Sequence, residues 1–259
     1  MPIKTGHSKH RYNSDMTLSI IIPMYNEEFR IGNTLHNLFS YIDSDESKYF
    51  TNYEIVLIDD GSKDNTLSIV NKIKKDSLNL NIKILKHDNN QGKGRAVKTG
   101  VCNSNGDYII YIDSDNAVSM FDLNLLIPYI KNFDIIIGSR KLNKYVYNLS
   151  IKRAARRLIS LTGYLLNKTL VKGIHDTQCP FKLLPTNLAK IIFNKMSIDR
   201  YAFDLELLFL AQKNGYSIKE VSVNYKSQPG SQFRIFRDVY KSLKDFMKIH
   251  HNYFSGKYR

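Results

Sequence analysis

From residue 18 to residue 140 short apolar runs alternate with stretches of helical period. The runs Leu18–Pro23, Ile55–Asp59, Ile82–His87, Tyr108–Asp113 and Asp134–Gly138 are rich in Ile and bounded by Asn, Asp and Gly. Such runs read as parallel strands buried on both faces of a sheet. Between them the segments 27–42, 64–75, 93–104 and 120–131 carry helical patterns, the second opened by Asp64 and Asn65 as cap residues. Strand and helix in strict alternation predict βαβ units and an α/β fold.

Beyond residue 140 the pattern changes. Ile151, Ala154, Ala155, Leu158, Leu161, Thr162, Leu165 and Thr169 form one helical stripe over 151–171, beside Lys152, Arg153, Arg156 and Arg157. Over 234–250, Arg237, Lys241, Lys244 and Lys248 share one face, and Phe236, Val239, Tyr240, Leu243, Phe246 and Met247 another. Basic amphipathic helices of this kind can lie in a membrane interface. Without internal repeats or linkers, residues 17–259 are expected to form one domain, divided functionally into 17–140 and 141–259. Residues 1–16 are polar, lack the apolar stretch of a secretory signal and read as a mobile tail on a cytosol-facing protein. No apolar run approaches the ~20 residues that a spanning helix needs. Cys102 and Cys179 lack metal-ligand spacing and fit a reducing compartment.

The chain of 259 residues carries a formal charge of +14, from 38 Lys and Arg against 24 Asp and Glu. An anionic partner follows. The excess lies in the second half: no acidic residue falls between Asp134 and Asp176, where Arg140, Lys141, Lys144, Lys152, Arg153, Arg156, Arg157, Lys168 and Lys172 do. Nucleic acid is disfavoured as that partner, because no RNA or DNA motif is present and the clustered carboxylates would repel a phosphate backbone.

Those carboxylates sit where the strands end: Glu27 after the first, Asp59 and Asp60 at the second, Asp113 and Asp115 at the fourth. Ligands bind at such ends in parallel sheets, and clustered carboxylates call for a cation or a donor-rich ligand. Asp113-Ser114-Asp115 offers two hard oxygen ligands suited to Mg2+ or Mn2+ shared with a diphosphate, although a D-x-D tripeptide alone is often a solvated turn. Asn90-Gln91-Gly92-Lys93-Gly94-Arg95 can wrap backbone amides and Lys93 around phosphate oxygens, or serve as a plain glycine-rich turn. Gly138-Ser139-Arg140 ends another strand with a guanidinium able to bridge phosphate oxygens, a surface ion pair being the bland alternative.

Taken together, Leu18 to Glu28 (LSIIIPMYNEE), Ile58-Asp59-Asp60-Gly61-Ser62, Gly92-Lys93-Gly94, Asp113-Ser114-Asp115 and Gly138-Ser139-Arg140 resemble the family-2 glycosyltransferases in order and spacing. Further on, Gly173 to Leu183 (GIHDTQCPFKL), Phe203 to Leu208 (FDLELL) and Gly230-Ser231 look like the dolichyl-phosphate glucosyltransferase branch, and less closely like dolichol-phosphate mannose synthases. The resemblance implies a GT-A fold, a Rossmann-like and mostly parallel sheet flanked by helices. It also implies inverting transfer of a hexose from a nucleotide diphosphate sugar, UDP-glucose before GDP-mannose, to a polyprenyl phosphate on the cytosolic face of a membrane.

Carried onto this chain, the resemblance puts Pro23, Tyr25, Glu27, Asp59 and Asp60 at base and ribose, with Lys93 and Ser114 joining them around the nucleotide sugar. It puts Asp113 and Asp115 at the metal and diphosphate, and Arg140, Arg156, Ser160 and Ser231 at the acceptor phosphate. Asp113, Asp115 and Arg140 are thus the expected catalytic residues. The mannose-transferring pattern has a Gln metal ligand two residues after the second Asp, where this chain has Ala117. Two other functions stay open: transfer to a sugar hydroxyl, with Asp204, Glu206 or Asp176 as base, and a non-catalytic nucleotide-sugar binding module.

Overall fold

Eight residues, Thr17–Met24, form β1, of which Leu18 to Met24 are all buried. Each fully buried Ile or Leu there contributes about 1.5–3 kcal/mol, so the first strand is anchored by burial alone. The computed structural model describes residues 16–142, 170–200, 202–226 and 235–258, the last segment with side chains from Lys244 onward. After β1 come α1 (Ile31–Ile42), β2 (Asn52–Asp59), α2 (Thr66–Asp76), β3 (Asn81–Lys86), α3 (Lys93–Cys102), β4 (Tyr108–Ile112), α4 (Leu123–Leu126) and β5 (Ile135–Ser139). Then follow β6 (Phe181–Pro185), α5 (Thr186–Lys195), α6 (Phe203–Lys213), β7 (Ile218–Ser222) and α7 (Ile235–Phe254).

The sheet has the order β3-β2-β1-β4-β6-β5-β7. Pairing is parallel throughout except at β6, which runs antiparallel to both β4 and β5. Reversing once at β6 restores β5 to the direction of β4, so β1, β2, β4 and β5 all end on the same edge. Alternate side chains feed two cores. Ile20, Ile22, Leu57 and Ile110 pack beneath α1 and α4, whereas Ile21, Ile58, Ile109 and Tyr111 pack against α3, α5 and α6. From Phe203 to Ala211 every residue of α6 is buried, Asp204 and Glu206 included, so both carboxylates must find partners inside the protein.

All five predicted strands are present. Residues 81–86 are less buried than expected, with Lys83, Ile84 and Leu85 half-exposed, because β3 is an edge strand. The helix expected over 120–131 is broken into α4 between two short 3-10 turns, Met120–Asp122 and Ile127–Tyr129; Pro128 lacks the N–H that would continue it. At the start of α2, Asp64 does the capping, its Oδ1 accepting from the Thr66 N–H at 3.0 Å and from the Thr66 hydroxyl at 2.6 Å. Asn65 instead donates to Glu28 at 2.9 Å. The amphipathic segment 151–171 falls outside the described residues up to 169. In α7, Phe246 and Ile249 pack into the core while Met247 is exposed, so part of its expected apolar face is consumed by folding.

Candidate active site

At the shared edge the loops after β1 and β2 are laced together. Asn26, in the left-handed region at φ 56, donates its N–H to Ser62 Oγ at 2.9 Å and accepts from the Lys63 N–H at 2.8 Å; Asn is among the few residues besides Gly that adopt this conformation, and here the bonds to the second loop hold it. Pro23 is buried in β1 and Tyr25 is half-buried just beyond it. Glu27 holds Arg30 through two hydrogen bonds of 2.6 and 2.8 Å. Burial raises its carboxyl above the usual range, and Asp115 adds to the push.

The two aspartates ending β2 differ. Asp60 Oδ1 accepts from His87 Nδ1 at 2.7 Å and from the Gln91 N–H at 2.9 Å, and its Oδ2 from Asn90 at 2.9 Å and the Gly92 N–H at 2.8 Å. Four donors fill the capacity of a carboxylate, so Asp60, expected at base and ribose, is spent on shaping the 87–92 loop. Among the described residues Asp59 keeps one bond, from the Ser62 N–H to Oδ1 at 3.1 Å, and its buried Oδ2 has no partner.

The loop that Asp60 shapes delivers Lys93 to Asp113, and the two form an ion pair. Burial alone would lower the Lys93 ammonium, but Asp113, Asp204 and Asp115 together hold it above the ordinary lysine range. Asp115 accepts from the Ala117 N–H at 3.0 Å, and burial followed by the charge of Asp113 pushes its carboxyl up. Between them, the Ser114 carbonyl accepts from the Thr34 hydroxyl at 2.7 Å, tying the turn to α1. Among the described residues no three His, Cys, Asp or Glu side chains gather as a ready cation site. Two close carboxylates, one raised by its neighbour, nevertheless fit a divalent ion whose other ligands are phosphate oxygens and water.

Arg140 follows β5, two strand positions from β4, or about 10 Å across the sheet at the usual spacing. Its Nε and Nη2 donate to Asp176 at 2.7 and 2.9 Å, and its backbone N–H does so at 3.0 Å. This fork uses two of the five guanidinium N–H groups, so donors remain. The guanidinium also lies 5.3 Å from the centre of the Tyr225 ring. Tyr225 bridges to Val118, and the Lys226 N–H donates to the Ala117 carbonyl at 2.8 Å. Arg140 and Asp115 are therefore joined through one short ladder. Arg156, Ser160 and Ser231 lie outside the described residues.

A network that sequence reasoning missed lies below. Lys182, with 0% exposure, donates to Asp204 Oδ1 at 2.5 Å and to the Cys179 carbonyl at 2.7 Å. The Tyr111 hydroxyl donates to the same Asp204 oxygen at 2.6 Å. A lone Lys amid the apolar residues of Cys179 to Leu184 was the available signal, since a lysine there must find a buried carboxylate. Glu206 points elsewhere, accepting from Ser197, Ile198 and the Tyr258 hydroxyl.

Carboxylates and a lysine at the C-terminal edge of a sheet that reverses once are the features of a nucleotide-sugar transferase. The glycosyl transferase family 2 profile matches residues 19–192, and the chain belongs to that family. It is similar to the dolichyl-phosphate beta-glucosyltransferases of Dictyostelium discoideum, at 37% identity over 92% of this chain and 75% of the relative, and of Homo sapiens, at 33% over 93% and 77%. The Saccharomyces cerevisiae protein of the same name is 32% identical over 97% of this chain and 79% of its own.

Among solved structures, glucosyl-3-phosphoglycerate synthase from Mycobacterium tuberculosis, in complex with Mn2+, UDP-glucose and phosphoglyceric acid, superposes with a TM-score of 0.64 at 13% identity, covering 90% of this chain and 79% of that one. S. aureus TarS 1–349 in complex with UDP-GlcNAc gives a TM-score of 0.54 at 21% identity, over 90% of this chain and 66% of that chain. At such identities these two establish the fold, GT-A.

Proposed function

We propose that this chain is an inverting glucosyltransferase that moves glucose from UDP-glucose to a polyprenyl phosphate of the dolichyl type, with residues 17–259 acting as one catalytic domain. The observation that carries this reading is the identity of 32–37% over 92–97% of the chain to relatives bearing that one name. The convergence of Lys93, Asp113 and Asp115 at the sheet edge supports it.

In this reading Pro23, Tyr25, Glu27 and the half-unpartnered Asp59 meet base and ribose, while Asp60 acts through the loop it holds. Lys93 and Ser114 serve the diphosphate. Asp113 and Asp115 would hold Mg2+ or Mn2+; when bound, such an ion neutralises charge on the leaving diphosphate. Arg140, together with Arg156, Ser160 and Ser231, gathers the acceptor phosphate.

That acceptor oxygen is already an anion, so its attack on the anomeric carbon needs no general base. What it needs is relief from repulsion: two unit charges 4 Å apart oppose each other by about 4 kcal/mol at an effective dielectric of about 20. Guanidinium groups supply that relief, and a single displacement inverts the anomeric centre. A sugar hydroxyl would instead need a base, and Asp204, Glu206 and Asp176 each have their carboxylates committed to protein partners.

The basic second half and α7 support a peripheral place on the cytosolic face of a membrane, where each Lys or Arg gains about 1 kcal/mol from anionic lipid. No helix among the described residues is long and apolar enough to cross a membrane. Incubating the protein with a short polyprenyl phosphate, Mn2+ or Mg2+, and UDP-glucose or GDP-mannose in parallel should yield glucosyl lipid by mass spectrometry. Tight nucleotide binding with silence for both donors would instead identify a non-catalytic module.

A further inference from the structure

We infer that Lys93 and the divalent cation compete for Asp113, so that the free protein admits the cation weakly and the nucleotide diphosphate opens the site by drawing Lys93 away. This rests on the donor-site reading above and adds an order to it.

The geometry begins with a backbone that cannot retreat. The N–H groups of Gln91 and Gly92 are bonded to Asp60, and that of Arg95 donates to the Asp199 carbonyl at 3.0 Å. Gly92, at φ 108, lies so close to the following layer that a Cβ would stand 2.5 Å from the Asp199 carbonyl oxygen, and one on Gly94 would stand 2.7 Å from Phe203 Cβ. Lys93 is held between these two contacts. Only its side chain can move.

Where that side chain can go is equally restricted. It pairs with Asp113, one of the two carboxylates the cation would use. Its other acidic neighbours are Asp115, the second of those carboxylates, and Asp204. Asp204 already accepts from both Lys182 and Tyr111 on Oδ1. An ammonium and a divalent cation on one carboxylate repel each other, so entry of the ion expels Lys93 from Asp113, leaving it the cation's second carboxylate and an Asp204 whose Oδ1 already serves two donors. Diphosphate oxygens are the missing anion: they accept Lys93 and bring further ligands to the cation. Coupling of this kind is reciprocal, each ligand tightening the other by the same factor.

Mn2+ binding to the purified protein, measured by calorimetry or by electron paramagnetic resonance of the free ion, tests this without turnover. Saturating UDP should tighten Mn2+ at least about tenfold, within the roughly 5–150-fold of ordinary allosteric coupling. In Lys93→Met, and in Lys93→Gln as a second variant, Mn2+ alone should bind more tightly than to the wild type, and UDP should tighten it by a smaller factor than in the wild type, since only its direct ligation of the ion remains. Circular dichroism confirms that each variant is folded. Equal Mn2+ affinity with and without UDP in the wild type, or variants that keep the wild-type affinity for Mn2+ alone, would overturn the exchange while intact UDP binding left the donor site standing. A wild type that binds neither UDP nor Mn2+ would remove the donor site and the exchange with it.

Discussion

Lys182 Nζ and Asp204 Oδ1 lie 2.5 Å apart where neither side chain meets solvent beyond 4%. The pair joins β6 to the first turn of α6, and Tyr111 on β4 closes it from below. Tyr111 is two residues before Asp113, on the same side of an extended chain, so the network underlies the donor edge.

Breaking this pair from one side should be severe. Lys182→Met leaves a buried carboxylate uncompensated, and urea denaturation should show a loss of about 3–5 kcal/mol. The double variant Lys182→Met/Asp204→Leu should recover part of it, since an apolar pair carries no charge-desolvation cost but takes the acceptor from the buried Tyr111 hydroxyl. A double variant as unstable as the single one would show that the pair holds the fold by more than charge.

Asp115→Ala should lower the rate of glucosyl transfer by about 10²–10³-fold or more, the usual loss when one transition-state charge partner is removed. Near-ultraviolet circular dichroism should be unchanged, because among the described residues Asp115 bonds only within its own turn, to the Ala117 N–H. Initial rates near the wild-type value would remove the metal assignment.

Asp176 supplies a pH signature. Burial alone would raise its carboxyl, but the hydrogen bonds and charge of Arg140 more than reverse this and hold it below the usual range. A depressed carboxyl contributes stability that is fully present above the unfolded value of about 3.9 and is lost as pH falls through the folded value. Asp176→Asn should cost about 3 kcal/mol at neutral pH and flatten the acid limb of a plot of stability against pH. The KM for polyprenyl phosphate should rise more than that for UDP-glucose, because Arg140 loses its fork.

Gly92→Ala places a methyl against the Asp199 carbonyl at a φ of 108, where an L residue is strained by about 1–3 kcal/mol. Its main effect should be a raised Kd for UDP, measured by calorimetry, because Gly92 leads directly into Lys93.

Vesicle flotation tests the surface-binding proposal. Met247 and Phe254 are exposed on α7 at 56% and 80%, beside exposed Lys244 and Lys248. The protein should float with vesicles containing anionic lipid and less with neutral ones, and Met247→Ser/Phe254→Ser should reduce flotation further. Recovery independent of lipid charge and of both substitutions would leave α7 as an ordinary packing element.

Much of the first half was legible because it follows local rules. Ile-rich runs become buried strands wherever both faces are covered, and loops at their ends carry the polar residues; β1, β2, β4 and β5 obeyed this closely. Pro128 is also visible in the sequence, and the 120–131 segment splits around it because proline supplies no N–H to continue a helix. The strands β6 and β7 were not legible because five residues carry little periodic signal, β6 being interrupted by Lys182 and β7 of mixed polarity, and their pairing partners lie far away in sequence.

By itself the sequence determined the alternation of strand and helix, the placing of acidic residues at strand ends and the resemblance that names the family, all properties of residue type and spacing. Which carboxylate is free and which is spent was decided only in three dimensions. Asp59 and Asp60 are neighbours of identical chemistry, but one keeps an oxygen without a partner among the described residues and the other serves four donors from the 87–92 loop. Likewise Lys182 and Asp204 meet only because an antiparallel strand is inserted between β4 and β5. Hydrogen bonds and ion pairs depend on distances of a few ångströms between segments far apart in the chain, and those distances exist only once the sheet has assembled.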